Sequence, residues 1–409
     1  MAAAATPMVK VGARGRARIA AGQVWIYRQD VAAGPETDAR SGGPTLVLVT
    51  DERRKPLAVA TWAAHSPVAL RILHPPRPAR WGGGWGKTLP DLAQIVADRL
   101  AGALAFRRRL ALDRDAFRAV HGESDGLPGL FLDVYADAAV LQTATVAMDA
   151  HKGEIAKIAA AQLASRLIVS RDDGSARDFE GLPRTTGLLL GSGSSMVEYR
   201  LGPNRFVADL LADGKTGGFL DQADNHALVA ALVPKGARCL DAFAYHGGFA
   251  LALARKGARV LATDENAQAV ERTRANAARN SLANLEVRQA NAFDLLRSLE
   301  ASGETFDVVV LDPPAFAKRR SGDLAAARAY REIVLRGLRL AAPGGLVVAC
   351  SCSGRVSREQ FDAIVAAAAA DSGRQVQILA RLGAGRDHPE LAGLPETGHL
   401  KCWILRAIA

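Results

Sequence analysis

Thiols are scarce in this 409-residue chain. Cysteine occurs only at Cys239, Cys350, Cys352 and Cys402, and two of the four sit one residue apart in ACSCSGRVSREQF, residues 349 to 361. A thiolate is a strong nucleophile and a good metal ligand, whereas a protonated thiol is a small core side chain. A metal site is the weakest of these readings, because neither a CxxC pair nor a histidine cluster at ligand spacing accompanies the run. GGLVVACSCS reads as a strand, and a two-residue separation then puts both sulfurs on one face. Position along the strand distinguishes them. Cys352 is nearer the carboxyl end, where open α/β sheets bind ligands, so Cys352 is the candidate nucleophile and Cys350 the candidate packing residue. A free thiol is only a few per cent ionised at neutral pH, so a working site has to add positive charge or a helix N-terminus. SREQF, with Ser357, Glu359 and Gln360, carries the signature of a helix start just beyond the pair.

Two further runs carry polar residues at the ends of apolar stretches. DAFAYHGGFALALA (241 to 254) follows a strand-like run and opens a helical one, and Gly247 and Gly248 would let a ligand approach the backbone. The run is neither GxGxxG nor a P-loop, so a dinucleotide is not the best fit. The next apolar run ends in Asp264, suited to ribose hydroxyls, although an acidic residue there also caps helices. A ribose without a pyrophosphate fits S-adenosylmethionine. LDPPAFAKR (311 to 319) ends another run, and its prolines would stop the ladder and project Asp312 rigidly into the same crevice.

The elements that must position these residues are legible as a rhythm. ARCLDAFA, ARVLATD, LEVRQAN, FDVVVLDPP and GGLVVACSCS alternate with helical stretches, which predicts a parallel sheet covered on both faces over residues 196–409. Residues 1–77 instead alternate short strand-like runs (TLVLVT, PLAVATWA, VALRIL) with Gly/Pro turns, predicting a small β-rich domain. Residues 78–195 read as a mixed α+β unit, with a helix over about 91 to 110, the turn in GESDGLPGL, two strands and an amphipathic helix in AHKGEIAKIAAAQLAS. PPRPARWGGGWGKTLP (75 to 90) reads as a linker whose Trp81 and Trp85 could stack on bases or anchor the linker. The net charge is +10, and residues 1–80 hold 12 basic against 5 acidic side chains, so the first module is the one suited to a phosphate backbone. No apolar stretch reaches the length of a membrane helix, the N-terminal residues lack a signal-peptide pattern, and the cysteines form no disulfide framework. The expectation is a cytoplasmic protein with free thiols and no membrane or metal.

DAFAYHGGFA, GKTGGFLDQ (214 to 222), LDPPAF and SCSG in this order, with GESDGLPGL and the basic GQVWIY segment upstream, resemble the RlmI-like family of large-subunit (23S) ribosomal RNA methyltransferases over nearly the whole chain. The resemblance implies a PUA-like RNA-binding domain, an α+β domain of EEHEE type and a class I, Rossmann-like methyltransferase domain. It implies S-adenosylmethionine as cofactor and large-subunit rRNA as partner, with a homodimer as one assembly to test. By position it puts Phe243, Tyr245, Gly247 and Gly248 around the methionine part, Asp264 on the ribose and Asn291 near the adenine, with the Asn291 amide oxygen able to meet the adenine amino group. Lys215, Phe219, Asp221 and Gln222 would line the segment folding over the cofactor. Cys352 matches the presumed nucleophile of SCSG. The chain departs from the family at Ala223, where arginine is usual, at His246 for Ser or Thr, and at Asn291 for Asp; the lost arginine would weaken the grip on the methionine carboxylate.

The chemistry implied is 5-methylcytosine formation. Carbon 5 of cytosine is too weak a nucleophile unaided. A thiolate adding to carbon 6 turns the ring into an enamine that attacks the methyl group, and loss of the carbon 5 proton then expels the thiol. Asp312 would hydrogen-bond the ring nitrogen, stabilise the developing charge and border the cofactor. His388, in GRDHPE, is a structural turn or a proton-transfer aid. The rival readings are amino-group methylation through the DPPAF loop, which needs no cysteine, and a non-catalytic RNA-binding assembly factor.

Overall fold

A computed structural model describes residues 6–74, 89–316 and 323–408. The linker with Trp81 and Trp85, and the end of the LDPPAFAKR run, lie outside the described residues. The chain forms two compact units, one of Met1–Val197, Asp209–Gly217 and Pro389–Thr397, the other of Glu198–Ala208, Gly218–His388 and Gly398–Ala409.

The first unit holds two sheets. The β-rich segment forms six strands, and the three read from the sequence are Leu46–Thr50, Pro56–Trp62 and Val68–His74, paired antiparallel in succession. Their inward residues, with Val9, Val11, Ile26 and Trp62, close a core of their own. The basic stretch folds as a helix, Ala13–Ala20, in which Arg14 and Arg18 are spent on the buried Asp30, while Arg16 faces out beside Arg53 and Lys55 in a cavity of about 500 Å³. The second sheet has five strands and packs on the helix Leu92–Arg109, close to the 91 to 110 expected. It has one strand more than an EEHEE pattern implies. Ala116–His121, AFRAVH, pairs antiparallel with Leu130–Tyr135, an alternation masked in the sequence by its arginine and histidine. The two sheets are locked together through the carboxylate of Glu180, which accepts from the Ser66 hydroxyl at 2.6 Å and from Arg71 at 2.8 Å.

The second unit is built on a seven-stranded sheet, its strands numbered here in chain order: β1 (Arg238–Asp241), β2 (Arg259–Asp264), β3 (Leu285–Gln289), β4 (Phe306–Leu311), β5 (Ala341–Ser351), β6 (Val376–Leu382) and β7 (Lys401–Ala407). Their spatial order is β3-β2-β1-β4-β5-β7-β6, all parallel except β7, which runs antiparallel to both neighbours. The helices are α1 (Ala223–Ala231), α2 (Gly248–Arg255), α3 (Ala267–Arg279), α4 (Ala292–Ala301), α5 (Asp323–Leu340) and α6 (Arg358–Ser372). Val308 to Leu311 in β4 are at most 1% exposed, so both faces of the central strand are covered, and that is why the run is apolar without alternation. Strand order reverses between β1 and β4, and the crevice beyond the carboxyl ends of such a pair is where an open α/β sheet holds a ligand. The fold is that of a class I methyltransferase.

Candidate active site

The candidate residues of the second unit sit at a strand end or on the loop behind it, except Phe219, Asp221 and Gln222, which lie in the turn just before α1. β1 ends in Asp241, and the chain then turns through Tyr245 and Gly247, with φ of 48° and 89°, before α2 begins. A left-handed conformation strains a tyrosine, and the strain is held by two bonds. The Tyr245 amide donates to Asp264 Oδ2 at 2.9 Å, and the Thr273 hydroxyl donates to the Tyr245 carbonyl at 2.5 Å. Asp264, at the end of β2, also accepts from the Asn266 amide at 2.9 Å, so it fixes the glycine loop. The Tyr245 ring meets Phe219 edge-on at 4.8 Å and stacks on His246 at 3.7 Å. Burial, with Arg272 nearby, drives the His246 imidazole down to about 3, so it stays neutral.

The two glycines do different work. Gly247 supplies the positive φ, but a Cβ on Gly248 would lie 2.3 Å from His226 Cε1, so Gly248 makes room for a packed histidine on α1 as well as for any ligand. The His226 ring in turn stands edge-on to Phe249 at 4.5 Å.

Asn291, beyond β3, is the N-cap of α4, and its side-chain oxygen accepts from the Phe293 amide at 3.1 Å and the Asp294 amide at 3.4 Å. The oxygen expected from the sequence to meet an adenine amino group is thus engaged with the helix, and the amide nitrogen is the donor it leaves. Ala223 opens α1 and is buried, so no cation is supplied at that position.

Asp312 follows β4 and stands beside the segment of Phe219, Asp221 and Gln222. Gln222 Nε2 donates to Asp312 Oδ2 at 3.0 Å, and Asn225 Nδ2 donates to Gln222 Oε1 at 2.6 Å and to the Gly383 carbonyl at 3.0 Å. Asp221 faces His399 Nε2 at 3.2 Å and receives the Gly385 amide on its carbonyl at 2.8 Å. Lys215 falls in the other unit, with φ of 50°. His388 is buried, its Nδ1 3.0 Å from Asp387 Oδ1.

Sequence reasoning missed two buried ionisable groups. Asp241, 1% exposed, accepts from the Ala250 amide at 3.0 Å. Burial first, then Asp312, push its carboxyl up to about 8 against the backbone amides of Phe243 and Ala250. Lys401, 2% exposed on β7, donates through Nζ to the carbonyls of Ser353 (2.6 Å) and His399 (2.8 Å). DAFAYHGGFA and HLKCWIL contain them, but nothing local in either run marks a buried charge.

The cysteine pair separates cleanly. β5 ends at Ser351, so Cys350 is inside the strand and Cys352 outside it. Cys350 stands directly opposite Cys402 on β7, and burial together with Cys402 holds its thiol protonated. Cys352 is partly exposed, its Sγ 3.9 Å from the carbonyl of Pro313 in the LDPP turn. Ser357 caps α6 with a full capping box to Gln360, as SREQF implied. Phe316 of DPPAF packs against Phe293 and Tyr330, at 5.8 and 4.8 Å between ring centres.

Comparison with known proteins agrees with this geometry. Residues 191–405 match a family of S-adenosylmethionine-dependent methyltransferases, and residues 9–75 match a PUA-like domain. Ribosomal RNA large subunit methyltransferase I of Tolumonas auensis is 34% identical over 395 residues, covering 94% of this chain and 95% of its own. The ribosomal RNA large subunit methyltransferase of Deinococcus radiodurans is 35% identical, covering 94% and 93%. In fold, the chain resembles SMU.776, assigned as a methyltransferase and solved with SAH, at a TM-score of 0.81 with 16% identity over 98% of this chain and 100% of that one.

Proposed function

Because this chain belongs to the family of S-adenosylmethionine-dependent methyltransferases that carry a PUA-like domain and include the ribosomal RNA large subunit methyltransferases, we propose that it methylates carbon 5 of a cytosine in 23S rRNA through a covalent adduct of Cys352. The observation that carries the reading is the placement of Cys352 just past the end of β5, partly exposed and against the LDPP turn that presents Asp312. Two roles would fall to residues of one narrow crevice.

In this reading S-adenosylmethionine supplies the methyl group. Phe243, Tyr245, Gly247 and Gly248 line its methionine part, Asp264 takes the ribose and Asn291 the adenine, while Phe219, Asp221 and Gln222 form the covering segment. Asp241 joins them as the buried carboxyl that would release its proton to solvent and stand as a carboxylate when a cationic amino group arrives beside it. Asp312, oriented by Gln222, would hold a proton between its carboxyl and the cytosine ring nitrogen, which takes up the charge that develops as the thiolate adds to carbon 6. Residues 1–77 serve as the RNA-binding module, 78–195 as the middle module and 196–409 as the catalytic one, acting in the cytoplasm, with a homodimer as the assembly to test by light scattering. The amino-group alternative is disfavoured by Phe316, whose ring is engaged with Phe293 and Tyr330 instead of standing ready to stack on a base.

The test uses rRNA fragments carrying 5-fluorocytosine, in which the carbon 5 fluorine blocks release. A covalent protein–RNA species is expected for the parent and none for Cys352→Ala. Methylation that survives in Cys352→Ala sinks the carbon 5 reading.

A further inference from the structure

A buried ammonium without a carboxylate is costly, and proteins avoid it unless an anion is due at that place. Lys401 is in that situation. Among the described residues its Nζ bonds only two neutral carbonyls, those of Ser353 and His399, and it forms no ion pair with an acid. The strand register explains how it gets there. Lys401 is directly opposite Ser351, the last residue of β5, so its side chain runs along the end of the strand and reaches the peptide just after Cys352. Ser353, whose carbonyl it holds, is itself buried. The charged or titratable groups around this point, among the described residues, include Cys352 beyond β5, Arg358 at the start of α6, Tyr330 on α5, Asp312 beyond β4, Cys402 on β7, and His399 just before β7 with Asp221 paired to its imidazole.

We infer that Lys401 is the positioning residue and proton acceptor for Cys352. The neutral amine takes the S–H proton, the electron pair stays on sulfur, and the resulting ammonium and thiolate compensate one another in the same pocket. This rests on the reading of Cys352 as nucleophile. One N–H bond forms as one S–H bond breaks, and no other reactant is needed. The carbonyl bonds at 2.6 and 2.8 Å aim the nitrogen while leaving its third valence for the sulfur side. Burial brings the lysine down to about 8, with Cys352 acting in the opposite sense and Arg358 in the same one, so at neutral pH the amine and ammonium forms are close enough in energy to exchange a proton with a thiol. Arg358, at the first turn of a fifteen-residue helix, adds a second positive charge close to Lys401.

The pairing is tested by the pH dependence of iodoacetamide alkylation of the full chain, followed at Cys352 by peptide mass spectrometry with Cys352→Ala as the blank. In the parent the alkylation midpoint is expected at least one pH unit below the roughly 8.5 of a free thiol. Lys401→Met should raise the midpoint by a unit or more, a roughly tenfold slower reaction at pH 7, and Lys401→Arg should hold it low because the charge is kept. A parent midpoint at or above that of a free thiol overturns the inference without any variant, which covers the case of a variant that fails to fold. An unchanged midpoint in folded Lys401→Met also overturns it, since a lysine that only packs would lower melting temperature and leave the titration alone. A depressed, Lys401-dependent midpoint in a protein whose methylation survives Cys352→Ala would support the pair and overturn only the function reading.

Discussion

Replacing Asp241 by asparagine isolates the buried proton at the centre of the site. The carboxyl is pushed to about 8, chiefly by burial and then by Asp312, whereas in an unfolded chain it titrates near 3.9. Between those values the folded protein holds a proton that the unfolded chain has released. Stability of the cofactor-free protein therefore falls as pH rises through this window, by up to about 1.4 kcal/mol per pH unit. Asparagine resembles the protonated carboxyl in shape, can still accept from the Ala250 amide, and does not titrate. For a unit of about 190 residues, 1 kcal/mol corresponds to about 2–4 °C in melting temperature. The melting temperature of Asp241→Asn relative to the parent should accordingly rise by up to about 3–5 °C for each unit from pH 5 to pH 8. Any fixed cost of the new amide shifts the whole difference and not its slope. The assay is thermal unfolding by circular dichroism at pH 5, 6, 7 and 8, without cofactor and with saturating S-adenosylmethionine. With cofactor the parent's slope should flatten, because a cationic ligand favours the carboxylate. Melting temperatures that run parallel across this range would refute the buried proton.

Gly248→Ala places a methyl group 2.3 Å from His226 Cε1 and should cost about 1–3 kcal/mol of stability in thermal melts; adding His226→Ala should recover part of it, and no recovery would mean the glycine serves something else. Asn291→Ala removes the α4 cap, at about 1 kcal/mol, and should weaken S-adenosylmethionine binding in calorimetry more than Asn291→Asp does. Equal affinity in all three proteins would take Asn291 out of the site.

What could be read in the sequence follows from what is local. β4 was legible because burial on both faces leaves no alternation, as in FDVVVL, and the start of α6 because a capping box lies within four residues. The glycine pair was legible as a turn, but the reason for Gly248 lies in His226, 22 residues earlier, which no local pattern can show. Asn291 was read as a ligand group while its capping role, also local, was overlooked. Asp241 and Lys401 escaped for a deeper reason. Their states depend on Asp312, Asp264, Cys352 and Arg358, which the fold brings near from other strands and helices. A sequence shows that a residue can be charged, while its surroundings decide whether it is.

The position of β7 has a consequence for how the protein is made. The strand contributed by residues 401–407 lies inside the sheet, between β5 and β6, although it is the last of the seven to be synthesised. Until it arrives, β5 and β6 each present an open hydrogen-bonding edge, and the sheet is not closed. The same strand brings Lys401 to the carbonyl of Ser353, the residue after Cys352. A chain in which β7 has not yet been made therefore holds Cys352 without Lys401, and the surroundings of this thiol are completed only when that strand slots between β5 and β6.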